Sequence, residues 1–166
     1  ARSMLGLNQA QKLIDEFGKT SLASGPAQSS LKSSLSAAHA ILGNNERSKE
    51  LLAEALVADP DNIPARLADI RSTFASRDMA GARGKLDAFL DKFPTNPEGL
   101  LLKGGLLGSE GDTAGALAQF QKAIDTNPTY VPAYAATIGS LLQAKKLDEA
   151  ATQLEALKKV APKNPR

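Results

Sequence analysis

Small and large residues, most of them apolar, recur along the chain at spacings of four and then three residues. In one segment the set is Ala116, Phe120 and Ala123. Because an α-helix has about 3.6 residues per turn, residues at these spacings share one helix face. The same spacing occurs at Ala10, Ile14, Phe17; at Ser48, Leu52, Ala55; at Ala82, Leu86, Phe89; and at Ala150, Leu154, Leu157. The pattern predicts helices in which a small residue lets a neighbouring helix approach and a large one fills the space beside it.

The prolines indicate that these helices belong to a repeat. Pro60, Pro94, Pro128 and Pro162 follow one another at intervals of 34 residues, which is the period of one class of helical hairpin. Proline cannot continue a helix and pushes the residue before it out of helical conformation, so each repeat is expected to end at its proline. The predicted boundaries are a leftover repeat helix and loop over 1–28, then four repeats over 29–62, 63–96, 97–130 and 131–164.

A tight turn is predicted in the middle of each repeat, so that each repeat is a helix, a turn and a second helix. Gly43 and Gly111 occupy the same repeat position and are followed by Asn or Asp, which are turn residues. Arg77 and Lys145 occupy the equivalent places in the other two repeats. The Ser-rich stretch 18–28 is longer than the other connections between repeats, and it is predicted to be a flexible loop.

The third repeat resembles the tetratricopeptide repeat (TPR) in the residues Gly104, Gly111-Asp112, Ala116, Phe120, Ala123 and Pro128. The fourth repeat is nearly as close to the TPR pattern. The first two depart from it, because Ile70 replaces a usual small residue and Ser48 replaces a usual Ala. The resemblance covers 29–164 and implies an all-α fold, namely a right-handed α-solenoid of four helix-turn-helix hairpins plus one N-terminal helix.

The resemblance also implies where a partner would bind, because the first helices of TPR hairpins line the concave surface. The groove positions in this sequence are Leu67, Arg71, Phe74, Leu101, Gly105, Gly108, Ala135, Leu142 and Gln143, together with Ser33, Ala37, Ala40, Ile41, Ala75, Ser109 and Gly139. A small-sided apolar groove with one charge at Arg71 favours an amphipathic helix or an extended apolar segment over a carboxylate clamp. Two alternatives stay open: the apolar residues pack as core, and Arg71 is solvated or locally paired.

Composition narrows the classes of function. Twenty Lys and Arg against eighteen Asp and Glu give a net charge of +2, which is too balanced to favour a nucleic acid or a membrane surface. The absence of Cys excludes disulfides, a thiol nucleophile and zinc–thiolate sites. No apolar run approaches the ~20 residues of a membrane helix. The only His, His39, is expected to be packed or half-buried. No catalysis, metal or cofactor is predicted.

The sequence therefore predicts a protein-interaction scaffold that holds a peptide or helix of a partner protein. The segment begins Ala1-Arg2-Ser3, so we expect it to come from a longer protein, and one alternative is an array fused to an enzyme domain elsewhere. Another alternative is a self-assembling spacer. Leu154, Leu157 and Val160 lie on the last helix of the sequence. This C-terminal face is expected either to be covered by the continuation of a longer protein or to be a face for homo-association.

A narrower resemblance concerns the stretches 101–104, 111–117 and 147–151. They look like the TPR lipoproteins of bacterial exosortase (PEP-CTERM) systems. This resemblance implies a periplasmic, membrane-tethered protein of an envelope system that exports exopolysaccharide or sorts surface proteins. Other bacterial TPR scaffolds, such as those of pilus or cellulose-secretion machinery, stay open.

Overall fold

The computed structural model describes residues 2–161, and it describes side-chain surroundings from residue 6 onward. Within that range the chain forms nine α-helices and no strand, which confirms the all-α prediction. The helices are α1 (Arg2–Phe17), α2 (Gly25–Ile41), α3 (Asn45–Ala58), α4 (Ile63–Ala75), α5 (Met79–Lys92), α6 (Pro97–Ser109), α7 (Thr113–Thr126), α8 (Val131–Gln143) and α9 (Leu147–Val160). The predicted turn at Pro162 lies outside the described residues.

The chain divides into two compact units, unit 1 (1–79) and unit 2 (80–166). Helices α1 to α4 lie in unit 1, and helices α6 to α9 lie in unit 2. First and second helices alternate along the chain as the 34-residue period requires. The division into repeats at 29, 63, 97 and 131 stays a prediction.

Side-chain caps fix where several helices begin. The Asn62 side chain accepts a hydrogen bond from the backbone N–H of Ala65 at 2.9 Å, and Asn96, 34 residues later, does the same for Gly99 at 2.9 Å. Asp112 accepts from Gly115 at 2.8 Å. These bonds satisfy N–H groups that a helix leaves without an internal partner.

The start of α2 corrects one sequence prediction. The stretch 18–28 was expected to be loop throughout, but α2 begins at Gly25. The Ser24 side chain accepts a hydrogen bond from the N–H of Ala27 at 3.1 Å, and Pro26 lies in the first turn, where its missing N–H costs nothing. The Ser-Gly-Pro sequence, read as loop chemistry, is therefore a helix start.

The mid-repeat turns all adopt the same backbone conformation. Gly43, Arg77, Gly111 and Lys145 have φ angles of 80°, 62°, 87° and 58°, all in the left-handed region. Each residue lies between two helices, at intervals of 34 residues. The predicted turns are thus present at all four positions, although only two of the four carry the glycine that this conformation favours.

In unit 1, α2 and α3 pack through a buried polar contact as well as apolar ones. The Ser36 hydroxyl lies 2.8 Å from the backbone oxygen of Ser48 and 2.9 Å from its hydroxyl oxygen. Leu35, Leu51 and Ala55 are buried on the same two helices. Ser48 stands where the repeat usually has Ala, and the structure gives a reason for it. The hydroxyls of Ser36 and Ser48 are both buried, and each provides a hydrogen-bond partner for the other.

A charged contact also joins α2 to α3. Lys32 donates to the carboxylate of Glu54, which also accepts from Arg47 at 3.2 Å. The hydrogen bond from Lys32, followed by the charges of Lys32 and Arg47, holds the pKa of Glu54 below its usual value. Arg47 bonds Glu50 at 2.8 Å, and this contact raises the pKa of the Arg47 guanidinium.

In unit 2, aromatic rings pack onto glycines. A Cβ at Gly104 would lie 2.3 Å from the ring of Phe120, and a Cβ at Gly99 would lie 2.7 Å from the ring of Phe89. The predicted stripe residue Phe120 is buried, with Ala116 and Ala123 beside it on α7. Glycine on the facing helix is what allows each ring to approach so closely.

A second set of contacts in unit 2 joins α5 to α6 and to Glu110, the residue that follows α6. Lys103 donates to Asp87, and Arg83 donates to both carboxylate oxygens of Glu110. The Glu110 contact raises the pKa of the Arg83 guanidinium. Such pairs are worth little individually at a surface, so burial of the apolar stripes provides most of the stability.

Candidate protein-binding groove

A cavity of about 500 Å³ opens between α2, α3 and α4 of unit 1. We call it the unit-1 groove. Its lining consists of small side chains, hydroxyls and three charged groups. The lining residues are Ser33, Ser36, Ala37, Ala40, Asn45, Glu46, Ser48, Lys49, Leu52, Ala68, Arg71, Ser72, Ala75 and Ser76.

Five residues that family position assigned to a groove lie around this one cavity. Ser33, Ala37 and Ala40 come from α2, and Arg71 and Ala75 come from α4. The two contributing helices are the first helices of successive predicted repeats. Whether these residues bind a partner stays a prediction.

Three other predicted groove residues of unit 1 do not line the cavity. Leu67 is only 3% exposed and belongs to the core, so it is unavailable to a partner in this structure. Phe74 is half-buried. Ile41, in contrast, is 55% exposed at the end of α2. The apolar positions therefore divide between core and surface, as the alternative reading of the sequence allowed.

Several residues that line the unit-1 groove were not among the predicted groove positions. Lys49, Glu46 and Asn45 come from the beginning of α3, which is a second helix, whereas family position pointed to first helices alone. Ser72 lies on α4, and Ser76 is the residue that directly follows this helix; they are next to Arg71 and Ala75 in sequence. Ser72 and Ser76 are four residues apart and therefore share a side of the chain close to Arg71. In the sequence, this spacing was the only indication that they could line the same groove.

Most hydroxyls of the unit-1 groove donate their hydrogens within the protein. Ser33 donates to the carbonyl of Ser29 at 2.8 Å, and Ser76 lies 3.1 Å from the carbonyl of Ser72. Ser36 is occupied by its contact with Ser48. The hydrogens of these three hydroxyls are therefore used within the protein, and the hydroxyls offer a ligand mainly oxygen lone pairs.

The N–H donors that side chains bring to the unit-1 groove come chiefly from two cations. Lys49 carries three N–H groups, one of which meets Glu46 at 3.1 Å. Arg71 carries five N–H groups in a planar fork, and it is exposed. Glu46 is 86% exposed in its side chain and is the one carboxylate among the lining residues.

In unit 2 the predicted groove residues lie on α6 and α8. Gly105, Gly108, Ala135, Leu142 and Gln143 are exposed, and Leu101 is half-buried. Leu142 is the prominent apolar side chain, with an exposed fraction of 52%. The unit-2 cavity of about 310 Å³ is a different feature, lined by Leu117, Gln121, Thr137, Leu141, Glu149, Thr152 and Gln153.

Two helical glycines on this face have no structural requirement within the described residues. Gly105 on α6 and Gly139 on α8 occupy the same repeat position, and a Cβ at either one would find no atom within 4 Å. Neither has a positive φ angle. Glycine inside a helix is destabilising by roughly 0.5–1 kcal/mol relative to alanine, and here nothing in the described chain offsets that cost.

The only histidine belongs neither to the lining of the unit-1 groove nor to the predicted groove residues of unit 2. His39 is half-buried, as predicted, and its Nδ1 lies 3.4 Å from the side-chain nitrogen of Asn44.

Among the described residues, no helix is both long and apolar enough to cross a membrane.

Comparisons with known proteins agree with the repeat seen in the sequence. Two family models, each described as tetratricopeptide repeat, match residues 67–131 and 109–166. A comparison with curated protein sequences gives no match.

Solved structures of MamA are similar to this chain in fold. MamA (41-end) from Desulfovibrio magneticus RS-1 has a TM-score of 0.65 at 14% identity, over 95% of this chain and 94% of that one. MamA AMB-1 has a TM-score of 0.64 at 19% identity, over 93% and 94%. MamA MSR-1 has a TM-score of 0.62 at 19% identity, over 93% and 91%. These similarities support an all-α helical-repeat solenoid.

Proposed function

Because the chain belongs to the tetratricopeptide-repeat family, we propose that it is a protein-interaction scaffold that holds a segment of a partner protein against its first helices. The observation that best supports this proposal is the unit-1 groove. Residues of two first helices surround this one cavity, namely Ala37 and Ala40 of α2 and Arg71 and Ala75 of α4. The TPR fold is typically non-catalytic. The protein's task is then to position another protein, not to transform a substrate.

The size and lining of the unit-1 groove fit a bulky apolar side chain of a bound segment. Its volume of about 500 Å³ falls within the roughly 300–1,000 Å³ of ligand pockets. Ala37, Ala40 and Ala75 have small side chains that leave the cavity open, and most of the serine hydroxyls are already bonded within the protein. An amphipathic helix or extended segment can bury its side chains there and keep its polar groups at the rim.

The glycines of α6 and α8 support a second contact surface in unit 2. Gly105 and Gly139 destabilise their helices relative to alanine, and no contact within the described residues requires glycine at either position. Because no side chain projects there, the backbone of a partner could approach closely. Leu142 offers exposed apolar surface on α8 of the same unit. We include Gly105, Gly108, Ala135, Leu142 and Gln143 in the proposed binding surface on these grounds.

The test is a crosslinking pull-down from the native organism with groove-filling variants. Ala37→Trp and Ala75→Trp place a large ring in the unit-1 groove, and both residues are exposed, so folding should survive. Ala53→Trp, at an exposed position of α3 outside the lining, is the matched control. Circular dichroism verifies the helical content of every variant.

The proposal expects a prey protein that wild type and Ala53→Trp both capture and that the two groove-filling variants lose. If all four proteins capture the same prey, the partner does not use the unit-1 groove. If wild type captures none, the scaffold proposal gives way to a self-assembling spacer.

The narrower hypothesis of an envelope export system rests on the sequence resemblance of 101–104, 111–117 and 147–151. Fractionation of the native organism tests it. Recovery of the protein with the membrane or periplasmic fraction supports an envelope role, and recovery with the cytosolic fraction contradicts it.

A further inference from the structure

We infer that Leu52 of α3 is the specificity-determining residue of the unit-1 groove, because its side chain forms the floor that an apolar anchor side chain of the partner contacts. This inference rests on the proposed function and specifies what the groove selects, which is the size of one apolar side chain of the bound segment.

Burial separates the floor of the groove from its walls. Of the described lining residues, Ser36, Ser48 and Leu52 are buried, with exposed fractions of 2%, 8% and 4%, and the others are half-buried or exposed. Buried residues that line an open cavity lie at its inner end. Leu52 is also the one large apolar residue of this lining, since the others are alanines, serines and longer polar or charged side chains. The depth to which an anchor side chain can enter is therefore set by Leu52.

The two serines beside Leu52 in the floor favour an apolar anchor. The Ser36 hydroxyl donates to the backbone oxygen of Ser48 at 2.8 Å, and the two hydroxyl oxygens lie 2.9 Å apart. Because the hydrogen of Ser36 is used on the backbone, the Ser48 hydroxyl is the donor of the second contact, and neither hydrogen is left for a ligand. A carbonyl or carboxylate at the floor would lose its hydrogen bonds to water without replacing them, whereas an apolar group gains contact with Leu52.

The third repeat shows that the bulk at these positions can vary while the hairpin keeps its fold. The positions equivalent to Ser36 and Leu52 carry Gly104 and Phe120. There the Phe120 ring fills the space beside the glycine, since a Cβ at Gly104 would lie 2.3 Å from the ring. Leucine is smaller than phenylalanine, so less of the corresponding space is filled in unit 1. A position that tolerates such a change in size can adjust the groove without loss of the fold.

The experiment compares Leu52 with its neighbour Leu51. Both are buried leucines of α3, with exposed fractions of 4% and 2%, but Leu51 is not among the residues that line the unit-1 groove. Each is replaced by Val and by Phe, so that the Leu51 variants are matched controls for changes in core size. Urea unfolding measures the stability of every variant, and binding is measured where all of them are folded.

The probes are pools of short fluorescent peptides with the same randomised flanking residues and one fixed central anchor, which is Val, Leu, Phe or Gln. Fluorescence polarisation measures the affinity of each pool for wild type, for the four leucine variants and for Ala37→Trp, which blocks the groove.

We expect wild type to bind the Phe pool most tightly, because a groove of about 500 Å³ has room for the ring, and the Gln pool most weakly. Leu52→Phe should shift the ratio of Phe-pool to Leu-pool affinity about tenfold towards Leu, since small changes in the size of an apolar pocket alter binding by roughly this factor. Leu52→Val should shift the ratio roughly fourfold in the opposite direction. Neither Leu51 variant should change the ratio.

A merely structural role of Leu52 would give a different result. If the Leu52 and Leu51 variants weaken all pools alike, Leu52 is only a core residue and the inference is overturned, whereas the proposed function stands as long as Ala37→Trp abolishes binding. A Gln pool that binds as tightly as the Phe pool would also overturn the inference. Binding insensitive to Ala37→Trp, or absent from every pool, would overturn the proposed function as well.

Discussion

The same substitution, glycine to alanine, should have three different effects at three positions of unit 2. At Gly111 the backbone φ angle is 87°, at Gly104 a Cβ would lie 2.3 Å from the Phe120 ring, and at Gly105 neither constraint applies. All three glycines lie between residues 104 and 111, so differences in location are minimal. The set separates backbone strain, steric overlap and helix propensity.

The expected magnitudes follow from these geometries. Gly105→Ala should stabilise unit 2 by roughly 0.5–1 kcal/mol, because alanine loses less conformational entropy in a helix. Gly111→Ala should destabilise by about 1 kcal/mol, since a left-handed L-residue costs roughly 1–2 kcal/mol and the entropy gain offsets part of it. Gly104→Ala should destabilise by about 1–3 kcal/mol, because Phe120 is buried and must move.

Urea unfolding followed by circular dichroism measures all three free energies of unfolding, with wild type alongside. The Gly111 result is the most informative, because no atom lies within 4 Å of the added Cβ and only the backbone conformation can oppose it. A stabilised Gly111→Ala, or a Gly105→Ala as destabilised as Gly104→Ala, would refute this account of the glycines.

Three further predictions concern other elements. Lys145→Gly should stabilise the protein by roughly 0.5–1 kcal/mol in urea unfolding, because Lys145 has a φ angle of 58°; a loss of stability would contradict the strain argument. The Lys32 contact lowers the pKa of the Glu54 carboxyl in the folded protein. The stabilisation from this contact should therefore be complete above the ordinary pKa of a Glu carboxyl, and it should be lost as the pH falls through the lower folded pKa. Glu54→Gln should therefore narrow the difference in stability between neutral and acidic pH, by under about 1 kcal/mol for this partly exposed pair, and an unchanged pH profile would contradict the assignment. Leu154 is 43% exposed on α9, so Leu154→Glu should reduce any self-association seen by light scattering, and unchanged mass would exclude that face as the contact.

The period of the sequence was enough to predict most of the helices and turns of the structure, the start of α2 being the exception. Proline ends a helix wherever it falls after the first turn, so Pro60, Pro94 and Pro128 mark connections between helices without reference to tertiary structure. Arg77 and Lys145 are not turn residues by type, but they occupy the same repeat position as Gly43 and Gly111. The repeat therefore predicted a turn at these two positions as well, and both have a positive φ angle. Local rules therefore accounted for most of the fold.

The proposed binding surface was less predictable, because it depends on how helices approach one another. Leu67 and Arg71 lie four residues apart on α4, yet Leu67 is buried and Arg71 lines the unit-1 groove. Lys49 enters the same groove from the start of a second helix, and no sequence spacing links it to α4. Tertiary packing decides which side chains surround a cavity. Alignment with the TPR pattern indicates only which face of each helix is directed towards the groove.

The buried hydroxyl pair in unit 1 bears on the fidelity of folding in a chain of similar hairpins. At the positions equivalent to Ser36 and Ser48, the later repeats carry Ile70 with Ala82, Gly104 with Ala116, and Ile138 with Ala150. If α3 paired with any first helix other than α2, the hydroxyl of Ser48 would be buried against a residue that cannot bond it, at a cost of roughly 1–3 kcal/mol. Mispairing among repeats is thus penalised at the first hairpin, and a shuffled chain that moves α3 away from α2 should lose cooperativity there first.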